Sequence, residues 1–121
     1  MKANKSGILK FLSSFGYAFQ GIFAFFKSGT NAIIHLVAAV IVIIAGYLFH
    51  ITSTEWCLVV VAIGIVMSSE AINTSVEKLA NQMFPEYNEQ AKLIKDIAAG
   101  AVLICAIAAF IIGLIIFLPK F

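Results

Sequence analysis

Between Glu70 and Asn81 the chain reads Glu70-Ala71-Ile72-Asn73-Thr74-Ser75-Val76-Glu77-Lys78-Leu79-Ala80-Asn81, directly continuing an apolar run that begins near Trp56. At helical pitch Glu70, Asn73, Thr74, Glu77 and Asn81 lie three and four residues apart and share one face. Carboxylates on a membrane-like helix are costly unless they face a bundle interior or a cavity, so this polar stripe is a functional-site hypothesis by default. Glu70 and Glu77 are separated by about 10.5 Å of helix rise. That is too far to clamp one ion together and suits separate roles, one carboxylate on a metal and the other taking a proton. A hard cation such as Mg²⁺ takes oxygen ligands and keeps substrate phosphates in its shell. A nearby lysine neutralises phosphate charge, and Lys95, followed by Asp96, is the candidate. The competing reading is structural, with Glu70, Asn73 and Glu77 holding an oligomer together through hydrogen bonds. One or two polar residues suffice for that role; five on one face, with Lys95 and Asp96 following, point to a site.

The elements that must position this stripe follow from composition. Of 121 residues, 62% are hydrophobic and 12% charged, and the mean hydropathy is +1.04. Such a chain is an integral membrane protein rather than a soluble domain. One domain covering residues 1–121 is expected, and homo-oligomerisation is the natural way to hide a polar stripe in so small a bundle. The amino-terminal segment, about 6–27, carries Phe11, Phe15, Phe19 and Phe23 every four residues, with lysines on either side. Ser13, Ser14, Gly16, Gln20 and Gly21 interrupt it, so it is expected as an amphipathic helix in the membrane interface. The aromatic bulk and the lack of an Ala-x-Ala site argue against a signal peptide. A break at 27–31 follows, with Gly29 free to take positive φ and Thr30 or Asn31 able to cap the next helix. Spans are expected at about 31–50, 55–83 and 91–118, with Thr54 as cap of the second and Pro85 and Pro119 as stops. Ala98, Ala99, Gly100 and Ala101 would let the last helix approach closely. His35 reads as an interfacial or capping histidine. Cys57 and Cys105 read as small buried hydrophobes within apolar runs.

Lysines set the orientation. Lys2, Lys5, Lys10 and Lys27 precede the first span, Lys78, Lys92 and Lys95 flank the second connection, and the first connection has none. The amino terminus and the Glu70–Asp96 region are therefore expected on the cytoplasmic side of a bacterial inner membrane, with the carboxyl terminus outside. Eight lysines, no arginine and a net charge of +2 are too little for a nucleic-acid surface, so no nucleic acid is expected as partner. An ion or proton pathway is disfavoured because the polar residues stop short of a continuous path across the membrane. No Gly-rich phosphate loop, His-Glu-x-x-His pattern or serine nucleophile elbow occurs.

Glu70-Ala-Ile-Asn73-Thr-Ser-Val-Glu77 resembles the signature of the small prokaryotic diacylglycerol kinases and related undecaprenol kinases. Lys95-Asp96-Ile-Ala-Ala-Gly100-Ala-Val resembles that family's second block, in a form closer to the undecaprenol kinases. Tyr17, Gln20, Gly21, Asn31 and His35 also resemble family positions, so the likeness covers nearly the whole chain. The resemblance implies an all-α homotrimer of three-span subunits, each with a surface helix, moving the γ-phosphate of Mg-ATP to the hydroxyl of a membrane lipid. It implies Glu70 as general base, Glu77 as metal ligand and nucleotide contact, and Tyr17, Gln20, Gly21, Lys95 and Asp96 as nucleotide contacts. Asn73, Thr74, Ala99 and Gly100 would orient the substrate and the site. The chain departs from the family at Gly29 and Asn81, where acids are usual, which implies weaker Mg²⁺ binding because affinity follows the number of charged ligands. The alternative expectation is a catalytically weak or inactive trimer that retains lipid or nucleotide binding.

Overall fold

The computed structural model describes residues 6–121; Lys2 and Lys5, used for orientation, lie outside the described residues. Four helices follow in order, α1 (Gly7–Lys27), α2 (Thr30–Leu48), α3 (Ser53–Met83) and α4 (Glu89–Phe117), ending in a 3₁₀ turn, Leu118–Lys120. All four are long and apolar enough to cross a membrane. For α1 this differs from expectation: Ile8, Leu9, Phe11, Leu12 and the later aromatics outweigh its serines and glycines, so length and composition alone do not keep it at the surface. The one buried residue of α1 is Phe25, and the helix otherwise stands largely clear of the bundle formed by α2, α3 and α4.

Local chemistry sets the helix ends. Ser6 caps α1 by accepting the Leu9 N–H at 3.2 Å. Asn88 caps α4 by accepting from the Gln90 and Ala91 N–H groups at 2.8 and 3.1 Å. The cap of α3 is Thr52, not Thr54: its hydroxyl accepts the Glu55 N–H at 3.2 Å while Glu55 accepts the Thr52 N–H at 2.9 Å, a capping box. That pattern, Thr-x-x-Glu, starts the helix at Ser53 and leaves Thr54 inside the first turn. The cap of α2 is Gly29, with no side-chain bond, and neither Thr30 nor Asn31 fills the role. Gly29 has φ 164°, which is extended backbone rather than the left-handed conformation expected.

Left-handed backbone occurs instead at His50, with φ 53°. The His50 N–H donates to the Tyr47 carbonyl at 3.4 Å and the Ile51 N–H to that of Gly46 at 3.2 Å, the bond pair of a Schellman motif. The turn folds Ile51 back into the core it shares with Val59 and Ile116. Trp56 then covers Gly46 so closely that an added Cβ would lie 2.6 Å from Cη2 of the indole. Only glycine admits the ring there.

α3 packs mainly on α4 and secondarily on α2. The two long helices run antiparallel: Glu55 at the start of α3 accepts from Lys120, after the end of α4, at 3.1 Å. A helix of 31 residues is about 46 Å long, against about 30 Å of hydrocarbon core, so one end of α3 must leave the lipid. Its polar stripe is at the end away from Trp56. Apolar side chains such as Ile41, Val60, Ile104 and Phe110 remain exposed on the helices, as suits a chain whose solvent is lipid. Cys57 is also exposed rather than buried, and both cysteines are free.

Candidate active site on the third helix

The polar stripe of α3 becomes progressively exposed along its length. Glu70 and Asn73 are buried at 4% and 5% exposure, Thr74 is half-buried, and Glu77 and Asn81 are exposed. Helix α2 provides the opposite wall. Gly29, Asn31 and Ala32 face Glu70, Thr74 and Glu77 across a mainly polar pocket of about 320 Å³. The α1–α2 break thus places the cap of α2 beside the carboxylates.

Asn73 organises the stripe. Its Nδ2 donates to Glu77 Oε1 at 2.9 Å and, weakly, to Glu70 Oε1 at 3.5 Å. The helical rise separating Glu70 and Glu77 is spanned by their side chains, which lean toward one amide between them. Electrostatics fixes that amide's sense, since turning it over would aim its oxygen at two carboxylates. Asn73 Oδ1 is left buried without a partner within the described chain, a polar group that stabilises the fold only once something donates to it.

The second oxygen of Glu70, Oε2, lies 3.2 Å from Nε2 of His35 on α2. Its sequence position gives His35 an interfacial or capping part; the crossing of α2 on α3 instead brings it to the most buried carboxylate in the described chain. Asn31, which stands out in the sequence as a candidate cap and a family-like position, also lines the pocket. A periodicity argument works within one helix and has no means of pairing residues on two.

Other expected site residues are not gathered into this pocket. Tyr17, Gln20 and Gly21 lie exposed along α1. Lys95 is half-buried on α4, and Asp96 is exposed and pairs with Lys92 at 2.6 Å, one turn earlier. Ala99 is exposed. An added Cβ at Gly100 meets nothing within 4 Å, so the small residues there mark no close approach inside one chain. The pocket as one chain forms it is lined by Ser28, Gly29, Asn31, Ala32, Glu70, Thr74 and Glu77, with Asn73 buried on α3 between the two carboxylates it bonds.

Among the described residues no three His, Cys, Asp or Glu side chains gather into a metal cage. Glu77, exposed at the pocket mouth with Thr74 one turn behind it, does fit a hard cation that arrives carrying phosphate ligands, because such a cation needs only one or two protein carboxylates.

The chain is similar to known proteins. The family model described as prokaryotic diacylglycerol kinase matches residues 16–117. An undecaprenol kinase of Bacillus subtilis is 36% identical over 119 residues, covering 98% of this chain and 97% of that protein. A diacylglycerol kinase of Synechocystis sp. is 38% identical over 109 residues, 89% of this chain and 62% of the longer relative. A diacylglycerol kinase of Escherichia coli K12 is 24% identical over 111 residues, 92% of this chain and 91% of that protein. The match takes in α2, α3, α4 and most of α1, with the whole polar pocket inside it, and on that ground the chain belongs to the prokaryotic diacylglycerol kinase family.

Proposed function

We propose that this protein transfers the γ-phosphate of ATP to the primary hydroxyl of a membrane lipid alcohol, diacylglycerol or undecaprenol, at the cytosolic face of the membrane. The observation that carries this reading is the graded pair in one pocket: buried Glu70 and exposed Glu77, held by the same Asn73 amide. Glu70 is the general base. It takes the hydroxyl proton as the lipid oxygen bonds to phosphorus and the bond to the β-phosphate oxygen breaks, releasing ADP. Its burial suits a proton acceptor that meets a substrate arriving from the lipid side. Glu77, at the mouth, would hold Mg²⁺, which would supply charge neutralisation for the transferring phosphoryl group. Thr74 and Asn73 orient the site, Asn73 through its amide bonds to both carboxylates.

Tyr17, Gln20, Gly21, Lys95 and Asp96 complete the nucleotide site, with Ala99 and Gly100 shaping it, when α1 and α4 of neighbouring copies close around the stripe. A homotrimer with cytoplasmic amino termini, outward carboxyl termini and α1 on the membrane surface serves this. The unfilled space around Gly100 and the length of α3 beyond the hydrocarbon support it. Full-length similarity to an undecaprenol kinase favours undecaprenol as acceptor.

Purified protein in lipid bilayers, given labelled ATP, Mg²⁺ and each acceptor in turn, tests the reading. Labelled lipid phosphate that is lost in Glu70→Gln and Glu77→Gln is the expected result. No transfer to either alcohol at millimolar Mg²⁺ or Mn²⁺ would reject it in favour of a non-catalytic member of the fold.

A further inference from the structure

Glu70 accepts two contacts, one from Asn73 on its own helix and one from α2. We infer that His35 is a positioning residue for Glu70, holding the carboxylate in the orientation in which it receives the acceptor's proton; this rests on the reading of Glu70 as the base. The contact runs between helices, from His35 Nε2 on α2 to Glu70 Oε2 on α3 at 3.2 Å. It is shorter than the 3.5 Å contact from Asn73 to the other oxygen, so His35 is the better-placed donor to this carboxylate. Both side chains are mostly withdrawn from solvent, at 23% and 5% exposure, where a charge-assisted hydrogen bond is strong and a carboxylate without donors is costly.

A carboxylate has about four lone-pair directions. One donor on each oxygen fixes its plane and leaves an acceptor direction free on each. With His35 removed, Glu70 would turn about its last torsion, which is soft and roughly two-fold, and would face the pocket in the wrong orientation for part of the time.

His35 also stands at a boundary. It lines the end of a second cavity of about 200 Å³ between α2, α3 and α4, walled otherwise by apolar side chains including Val42, Ala62, Val66, Ala106 and Ile112. The described residues show one polar side chain along that groove, and it is the one that touches Glu70. The acceptor's hydroxyl must reach Glu70 from apolar surroundings, and His35 sits where apolar wall gives way to polar pocket. The bond requires a proton on Nε2, present in one neutral tautomer and in the cation.

The test has two independent readouts. The first is ¹⁵N spectroscopy of histidine-labelled protein in bilayers, with His50, the other of the chain's two histidines, as internal reference. The Nε2 signal of His35 should move in Glu70→Ala while that of His50 stays in place; a His35 signal indifferent to Glu70 overturns the contact without reference to activity. The second is lipid phosphorylation. His35→Ala should lower kcat by about tenfold to a hundredfold, the usual cost of removing the group that orients a reacting one, with KM for ATP changed by less than about twofold. His35→Gln, whose amide donates from a similar reach, should recover most of the loss, which a purely structural role would not predict. Unchanged kcat in His35→Ala, or equal loss in Ala and Gln variants, overturns the assignment. A wild-type chain that shows the contact but phosphorylates no lipid alcohol overturns the kinase reading, and the catalytic role of His35 with it, while leaving the contact intact.

Discussion

Gly29→Glu should make the stability of this protein depend on divalent cations. Gly29 caps α2 in an extended conformation, φ 164° and ψ −176°, that any residue adopts, and a Cβ there meets nothing within 4 Å. Backbone effects are small: a non-capping side chain at this position costs about 0.5–1 kcal/mol, and the stiffer unfolded chain offsets about 0.4–1 kcal/mol of that. What remains is electrostatic. Gly29 lines the same pocket as Glu70 and Glu77, a space of about 320 Å³. Two carboxylates about 6 Å apart repel by about 3 kcal/mol at an effective dielectric of 20. Glu77 is exposed, and solvent screening cuts its share to about 1 kcal/mol or less. The variant without metal should therefore be less stable than wild type by about 1–3 kcal/mol, a drop of several degrees in unfolding temperature on the scale of roughly 2–8 °C per kcal/mol for small domains.

A bound cation offsets this. A second carboxylate on Mg²⁺ should lower the half-maximal concentration for lipid phosphorylation about tenfold, equivalent to about 1.4 kcal/mol, and so recover much of the lost unfolding temperature. The assay is thermal unfolding in lipid nanodiscs with chelator and with Mg²⁺, alongside a Mg²⁺ titration of phosphate transfer. An unfolding temperature lowered by the same amount under both conditions, with an unchanged Mg²⁺ requirement, would show that the wall formed by Gly29 does not face the metal.

Glu70→Gln should reduce phosphate transfer by about 10²–10⁴-fold, the range for loss of a general base, while leaving the unfolding temperature close to wild type; comparable activity would remove Glu70 from the chemistry. Gly46→Ala places a Cβ 2.6 Å from Trp56 Cη2 and should destabilise by about 1–3 kcal/mol through overpacking, with recovery in Gly46→Ala/Trp56→Phe; thermal unfolding reads both. His50→Gly removes a side chain from left-handed backbone at φ 53° and should raise stability by about 1 kcal/mol, whereas a loss would mean that the imidazole makes a stabilising contact. Thr52→Ala deletes half of the capping box and should cost about 1 kcal/mol, measurable in the same experiment.

Much of this molecule is legible in its sequence. Continuous apolar runs bounded by lysines, glycine and prolines mark the helices, because backbone in lipid has few alternatives to helix. The polar stripe is legible for the same reason: five polar residues at three- and four-residue spacing in such a run declare one face. Differences between expectation and structure cluster at the helix ends. Thr52 rather than Thr54 caps α3 because the capping-box partner is Glu55, and the left-handed turn falls on His50 rather than Gly29 because the Schellman bonds to Gly46 and Tyr47 demand it there. The composition of α1 suggests the membrane surface, yet its length and apolarity equally permit a span.

The sequence by itself determined a membrane-embedded helical protein with two carboxylates and an amide aligned on one helix, since intrahelical geometry depends only on pitch. Tertiary structure decided which of those groups is shielded and which is open, that α2 supplies the facing wall through Gly29 and Asn31, and that His35 meets Glu70. These are distances between helices, set by how side chains interlock along two crossing surfaces, and no spacing within either helix encodes them.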